Sequence, residues 1–213
     1  MRISKLLPSQ RGGGRWLCHM EDGAVLSVSE NEVAAFGLCS GLELTETQLD
    51  GVKLAARAAL VREKAMDLLA ARPLSRKELV DKLTARPRGK DKAPLADRET
   101  AEAAADRLEE LGYLNDQSYA RMVAEHYAAK GCGPARIREE FYRRGVPRDF
   151  WEEALEALTA PEEAIDAFLR KKLRGAELTD PKTYQRAANA LARRGFHWEE
   201  IKDGLRRYGG ALE

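Results

Sequence analysis

The sequence predicts a mainly α-helical protein in which tandem three-helix repeats stack as an elongated array behind a small N-terminal β-hairpin or strand element. Three observations predict it. Runs of β type are confined to residues 1–28, helix start and stop signals divide the remainder into about ten helices, and three segments share one ending: KLTARPRG from Lys82, EFYRRGV from Glu140 and ALARRGF from Ala190. Placing Leu83, Phe141 and Leu191 in register makes the shared ending a repeat. A unit of this size has little core alone, so stacking against its neighbours is the physical solution. The expected divisions are 1–50 for the β-hairpin and a short helix, 51–114 for repeat 1, 115–160 for repeat 2 and 161–213 for repeat 3.

The β runs are RISKLL, RWLCHM and AVLSV, the last two joined by Glu21-Asp22-Gly23. An acid followed by glycine between apolar runs signals a short hairpin, because glycine takes positive φ without a Cβ clash. The triplet in RGGGR, Arg11 to Arg15, reads as a looser turn, since it lacks the GxxxxGK[ST] spacing of a phosphate loop. Helices are expected at 30–37, 46–71, 75–85, 97–111, 117–130, 134–144, 148–158, 162–174, 182–194 and 197–208. Ser29 with Glu32, and Ser75 with Glu78, have capping-box spacing. Pro134, Pro161 and Pro181 suit a first helical turn, the last behind the cap residue Asp180. Gly145 and Gly195, each followed by an apolar residue, fit a helix stop in the left-handed conformation. Leu111-Gly112-Tyr113-Leu114 ends repeat 1, and Asn115-Asp116 caps the next helix at the joint. A basic insertion, RPRGKDKAPLADR from Arg86 to Arg98, lengthens repeat 1.

At 213 residues and 44% apolar content the chain can bury a real core. Its formal net charge of +1 announces no polyanion partner by itself. The charge is uneven: residues 1–50 carry −3, 51–112 carry +3, 113–162 carry −2 and 163–213 carry +3. Cys18, Cys39 and Cys132 are odd in number and lie outside any CxxC, which argues against a disulfide framework or zinc and for a reducing, cytoplasmic setting. No signal peptide or membrane span is expected.

Bond-making chemistry finds little support. His19, His126 and His197 are scattered without ligand spacing. The pairs Glu109-Glu110, Glu139-Glu140, Glu152-Glu153 and Glu199-Glu200 are adjacent on helices, about 100° apart, and read as solvated faces. No metal, cofactor or catalytic residue is expected. Tyr119, Val123 and Tyr127 at i, i+4 and i+8 form an apolar stripe that reads as core. More suggestive are the cations: Arg136, Arg138, Arg143, Arg144 and Arg148 in repeat 2, with Arg170, Lys171, Lys172, Arg174, Lys182, Arg186, Arg193 and Arg194 in repeat 3. If several share a side they form a basic stripe suited to phosphate or an acidic protein groove; ordinary helix-surface charge is the plain alternative. Lys77, Lys82, Arg86, Arg88, Lys90 and Lys92 around the insertion would extend that stripe.

The run from Gly112 through Tyr113, Leu114, Asn115 and Asp116 to Tyr119-Ala120, followed by Gly131, Gly133 and Gly145, resembles the RecX family of bacterial recombination regulators. Arg72-Pro73-Leu74-Ser75 with Glu78-Leu79 and Leu83 is similar to that family's first-repeat motif, although the Arg86 to Arg98 insertion is longer and more basic. The resemblance runs from about Arg57 to Leu158, and covers the last triplet through helical pattern. It implies a slightly curved array that binds RecA recombinase assembled on single-stranded DNA, lies along the filament groove, and suppresses ATP hydrolysis and strand exchange without catalysis of its own. It is expected to act as a monomer, with no membrane partner. From charge, not from a family motif, Arg136, Arg143, Arg144, Lys171, Arg193 and Arg194 are the expected filament- or DNA-binding stripe, with Arg143, Arg144, Arg193 and Arg194 expected to be exposed. The rival reading is a stand-alone helical DNA-binding protein.

Overall fold

The structure is a computed structural model that describes residues 1–10, 14–87, 93–158, 160–174, 178 and 180–210. Among the described residues three strands and ten α-helices are formed, divided between two compact units, residues 1–72 with 80–110 and residues 73–79 with 111–213.

In the first unit, β1 (Ile3–Pro8), β2 (Arg15–Met20) and β3 (Val25–Ser29) make an antiparallel sheet in the order β1-β2-β3. The first β run is therefore a third strand added to the expected hairpin. The register sets Cys18 between Leu6 and Leu26 and Met20 opposite Ile3. Side-chain alternation sends Ile3, Cys18, Met20 and Val28 into the core. The outer edge of β1 is covered by the following chain: the Ile3 N–H donates to the Leu42 carbonyl at 2.9 Å, and the Gly41 N–H to the Ile3 carbonyl at 2.8 Å. Covering an edge in this way blocks unwanted strand pairing.

Strand β3 runs directly into α1 (Glu30–Ala35), where the Glu32 carboxylate accepts the Ser29 N–H at 2.7 Å. The long helix α2 (Glu46–Ala71) begins in a reciprocal box: Thr45 Oγ1 accepts from the Gln48 N–H at 3.2 Å, and Gln48 Oε1 from the Thr45 N–H at 2.9 Å. Its first half adds Leu49, Val52 and Ala56 to the sheet core. Its second half buries Val61 and Ala65, and the helix packs against α4 (Arg98–Glu110). Between them in sequence comes α3 (Arg76–Thr84), whose first residues, through Leu79, belong to the second unit; Leu79 and Leu83 are fully buried.

The second unit holds two helical triplets. In the first, α5 (Asp116–Ala129), α6 (Pro134–Arg144) and α7 (Trp151–Glu156) close on Tyr119, Val123, Ile137, Phe141, Val146 and Ala154. The expected continuous helix from 148 starts instead as a 3-10 turn, Arg148–Phe150, behind Pro147 at φ −58° and ψ 141°. The second triplet is α8 (Pro161–Leu173), α9 (Pro181–Arg193) and α10 (Trp198–Gly210), around Ile165, Leu169, Leu191, Phe196 and Ile201. Each triplet reaches its core through the same positions: Phe141 and Leu191, three residues before the first arginine-glycine pair, are both 0% exposed.

Candidate interaction surface on the helical repeats

The shared Arg-Arg-Gly ending does more than stop a helix. At the end of α6, Gly145 is left-handed with φ 67°, and the Val146 N–H returns to the Phe141 carbonyl at 3.0 Å. The last carbonyl of the helix, that of Arg144, accepts the Ser75 hydroxyl, and the same Ser75 oxygen accepts the Glu78 N–H at 3.1 Å at the start of α3. Beside it, the Arg76 N–H donates to the buried carboxylate of Asp116 at 2.7 Å. The end of α9 repeats the arrangement on α6: the Gly133 N–H donates to the Arg194 carbonyl at 2.7 Å and the Ala135 N–H to the Gly195 carbonyl at 3.1 Å. Carbonyls left over at one helix C-terminus thus satisfy N–H groups left over at another helix N-terminus. The second joint permits no extra carbon, because a Cβ on Gly195 would stand 2.3 Å from the Arg136 nitrogen, and one on Gly133 would stand 2.5 Å from the Gly195 oxygen.

These joints divide the six arginines and lysines of the expected stripe. Arg144 and Arg194 are half-buried, contrary to the expectation of exposure. The Arg144 guanidinium donates to the hydroxyls of Tyr119 at 3.0 Å and Tyr127 at 3.3 Å. That of Arg194 donates to the carbonyls of Lys130 and Gly131, both at 3.0 Å, and lies 4.7 Å from the ring centre of Phe168. A flat, weakly hydrated guanidinium suits both places, reaching two acceptors in each and, at Arg194, lying over a ring. Arg136 is exposed yet paired with Glu139 at 2.5 Å, and exposed Arg143 binds Glu140. Lys171 and Arg193 are exposed, as is Lys172, and none of the three makes an ion pair among the described residues.

Glu140 organises repeat 2. The carboxylate is 2% exposed and faces Arg136 and Arg144, each at 3.6 Å, besides Arg143. Burial alone would raise its pKa, but the hydrogen bonds from Arg143 and Tyr127 and the charges of Arg143 and Arg144 outweigh it and hold the carboxyl below the usual glutamate value. The expectation that Glu139-Glu140 is a solvated pair therefore fails at Glu140. Arginines at −4, +3 and +4 from it are the signal that marks the position. Around the insertion, Lys82 and Arg86 are exposed, whereas Arg88, Lys90 and Lys92 lie outside the described residues. Among the described residues no cluster of three His, Cys, Asp or Glu could hold a metal, and no helix is long and apolar enough to cross a membrane.

The two triplets match two family models in succession: residues 115–155 match the second three-helix domain of RecX, and residues 161–205 match the third. The chain is 37% identical over 151 residues to the regulatory protein RecX of Pseudomonas savastanoi pv. phaseolicola, covering 70% of this chain and 92% of that one. It is 28% identical over 171 residues to the regulatory protein RecX of Lactobacillus gasseri, of whose length it spans 60%, with 80% of this chain aligned. A crystal structure of regulatory protein RecX superposes with a TM-score of 0.71 at 21% identity, over 97% of this chain and 98% of that one. RecX from Lactobacillus salivarius superposes with a TM-score of 0.61 at 20% identity, over 72% and 97% respectively.

Proposed function

The chain belongs to the RecX family of regulatory proteins, and from that premise we propose that it is a non-enzymatic negative modulator of RecA. It binds the groove of the RecA filament on single-stranded DNA and suppresses ATP hydrolysis and strand exchange by obstruction and charge. The observation that carries this reading is the consecutive match of both triplets to RecX three-helix domains. Successive repeats suit a periodic target, because several modest contacts then act as one multivalent interaction.

The charge pattern refines where contact is made. Arg136, Arg143 and Arg144 spend much of their charge on Glu139 and Glu140. The exposed cations Lys171, Lys172 and Arg193, which make no ion pair among the described residues, belong to repeat 3, which makes that repeat the stronger electrostatic contact. RecA ATP hydrolysis on single-stranded DNA, titrated with this protein beside its affinity for the same bare DNA, tests the reading. Inhibition is expected at concentrations too low to coat bare DNA. Equal affinity for bare DNA without inhibition would replace the modulator by a stand-alone DNA-binding protein.

A further inference from the structure

A groove enclosing about 530 Å³ opens in the second unit where the C-terminal half of α5, the end of α7 and the start of α8 converge. Its lining mixes polar surface with small apolar side chains, among them Ala128, Ala157, Leu158 and Ala164. Two carboxylates, Glu125 on α5 and Glu163 on α8, stand in the same lining, both exposed. Neither forms an ion pair among the described residues, whereas Glu139, Glu140, Glu152, Glu153 and Asp166 in the same unit are all engaged by arginines. Alanine walls let another backbone approach closely and ask for no hydrogen bonds, and the volume admits one or two side chains of leucine size. Unpaired carboxylates repel phosphate and attract cations.

We propose that this groove docks a basic, apolar-anchored segment of a protein partner: a helical turn that inserts a leucine- or methionine-sized side chain and carries lysine or arginine on either side of it. The site deepens the reading of the chain as a modulator of a protein filament, and rests on it only for where such a partner is found. Protein and nucleic acid are thereby sorted to different surfaces, with this acidic groove for protein and the unpaired cations of repeat 3 for polyanions.

Two probes separate the site from the function. The first is a fluorescent helical peptide bearing one leucine flanked by lysines, measured by anisotropy; the second is RecA assembled on poly(dT), with bare poly(dT) beside it. The variants are Glu125→Lys/Glu163→Lys, which reverses the charge, and Ala157→Trp, which fills the groove from an exposed position. Thermal melts check that both fold. Peptide binding is expected, weakened at least tenfold by either variant and competed by neither poly(dT) nor a peptide with glutamates for lysines. No binding of the lysine peptide, equal binding of the glutamate peptide, or displacement by poly(dT) would overturn the proposal. On the filament, a tenfold loss for the charge reversal with bare-DNA affinity retained supports it. Filament affinity unchanged by both variants overturns the groove alone, while peptide binding without any filament binding keeps the groove and overturns the proposed function.

Discussion

Glu140 concentrates the polar energetics of repeat 2 in one side chain. Removing its charge leaves Arg144 half-buried beside a neutral group, and breaking a buried ion pair costs about 3 kcal/mol; Glu140→Gln is expected to lower stability by that order in urea denaturation. The pH dependence has a definite sign. A carboxyl whose folded pKa lies below its unfolded value of about 4.3 stabilises the fold above that pH and loses the contribution as pH falls through the folded value. The urea midpoint should therefore fall as pH drops below the unfolded value toward the lower folded one, and Glu140→Gln should flatten part of that fall. The adjacent arginines of repeat 3 provide a second contrast. Arg193, exposed and unpaired, should change stability by no more than about 0.5 kcal/mol when made Ala. Arg194, which satisfies two carbonyls and covers Phe168, should cost about 2 kcal/mol. Sequence pattern alone sees two arginines before a glycine in each case. It cannot assign them different work, because the partners of Arg194 lie as far as 64 positions away.

Helices were the most legible level. The ranges 46–71 and 134–144 agree with the sequence expectation at both ends, since cap residues, proline at the first turn and glycine at the stop act through neighbours within one turn. Even Asp116 was legible as a joint residue, although its partner, the Arg76 N–H, was not. The break of the 148–158 helix into a 3-10 turn and a short α-helix escaped notice because both conformations share a similar residue spacing over one turn. What a helix end touches was illegible for a different reason: the Arg144 carbonyl meets Ser75 across 69 positions, and no local periodicity reports such a pairing. The joint gives two glycines different sensitivities. Gly195 is at φ 88° with Arg136 in the way of a Cβ, whereas Gly112, at φ 76°, faces open space. Gly112→Ala should cost about 1 kcal/mol of backbone strain. Gly195→Ala adds a clash with main chain and should cost about 3 kcal/mol or more, with the extra loss seen as faster amide exchange at Gly133 and Ala135.

Across the whole molecule, fold class was legible because composition, helix signals and the recurrent ending agreed, and the assigned surface was less so because charge counts ignore pairing. Repeat 2 is rich in arginine, but Glu139 and Glu140 neutralise much of that charge in place. Reversing Lys171, Lys172 and Arg193 together to Glu should weaken RecA filament binding at least tenfold and flatten its dependence on salt, whereas Arg136→Ala/Arg143→Ala should do less; binding isotherms across a salt series check both. The joints themselves have a consequence for ancestry. At the α9–α6 contact two hydrogen bonds run from main chain to main chain, beside the two from the Arg194 side chain, so the fit is indifferent to most other side chains on either helix. A duplicated triplet could drift at many positions and remain seated on its neighbour while Gly133, Arg194 and Gly195 persisted. The two triplets of this chain fit that freedom: both carry Arg-Arg-Gly, yet they differ at the Glu140 position, where the later one has Ala190.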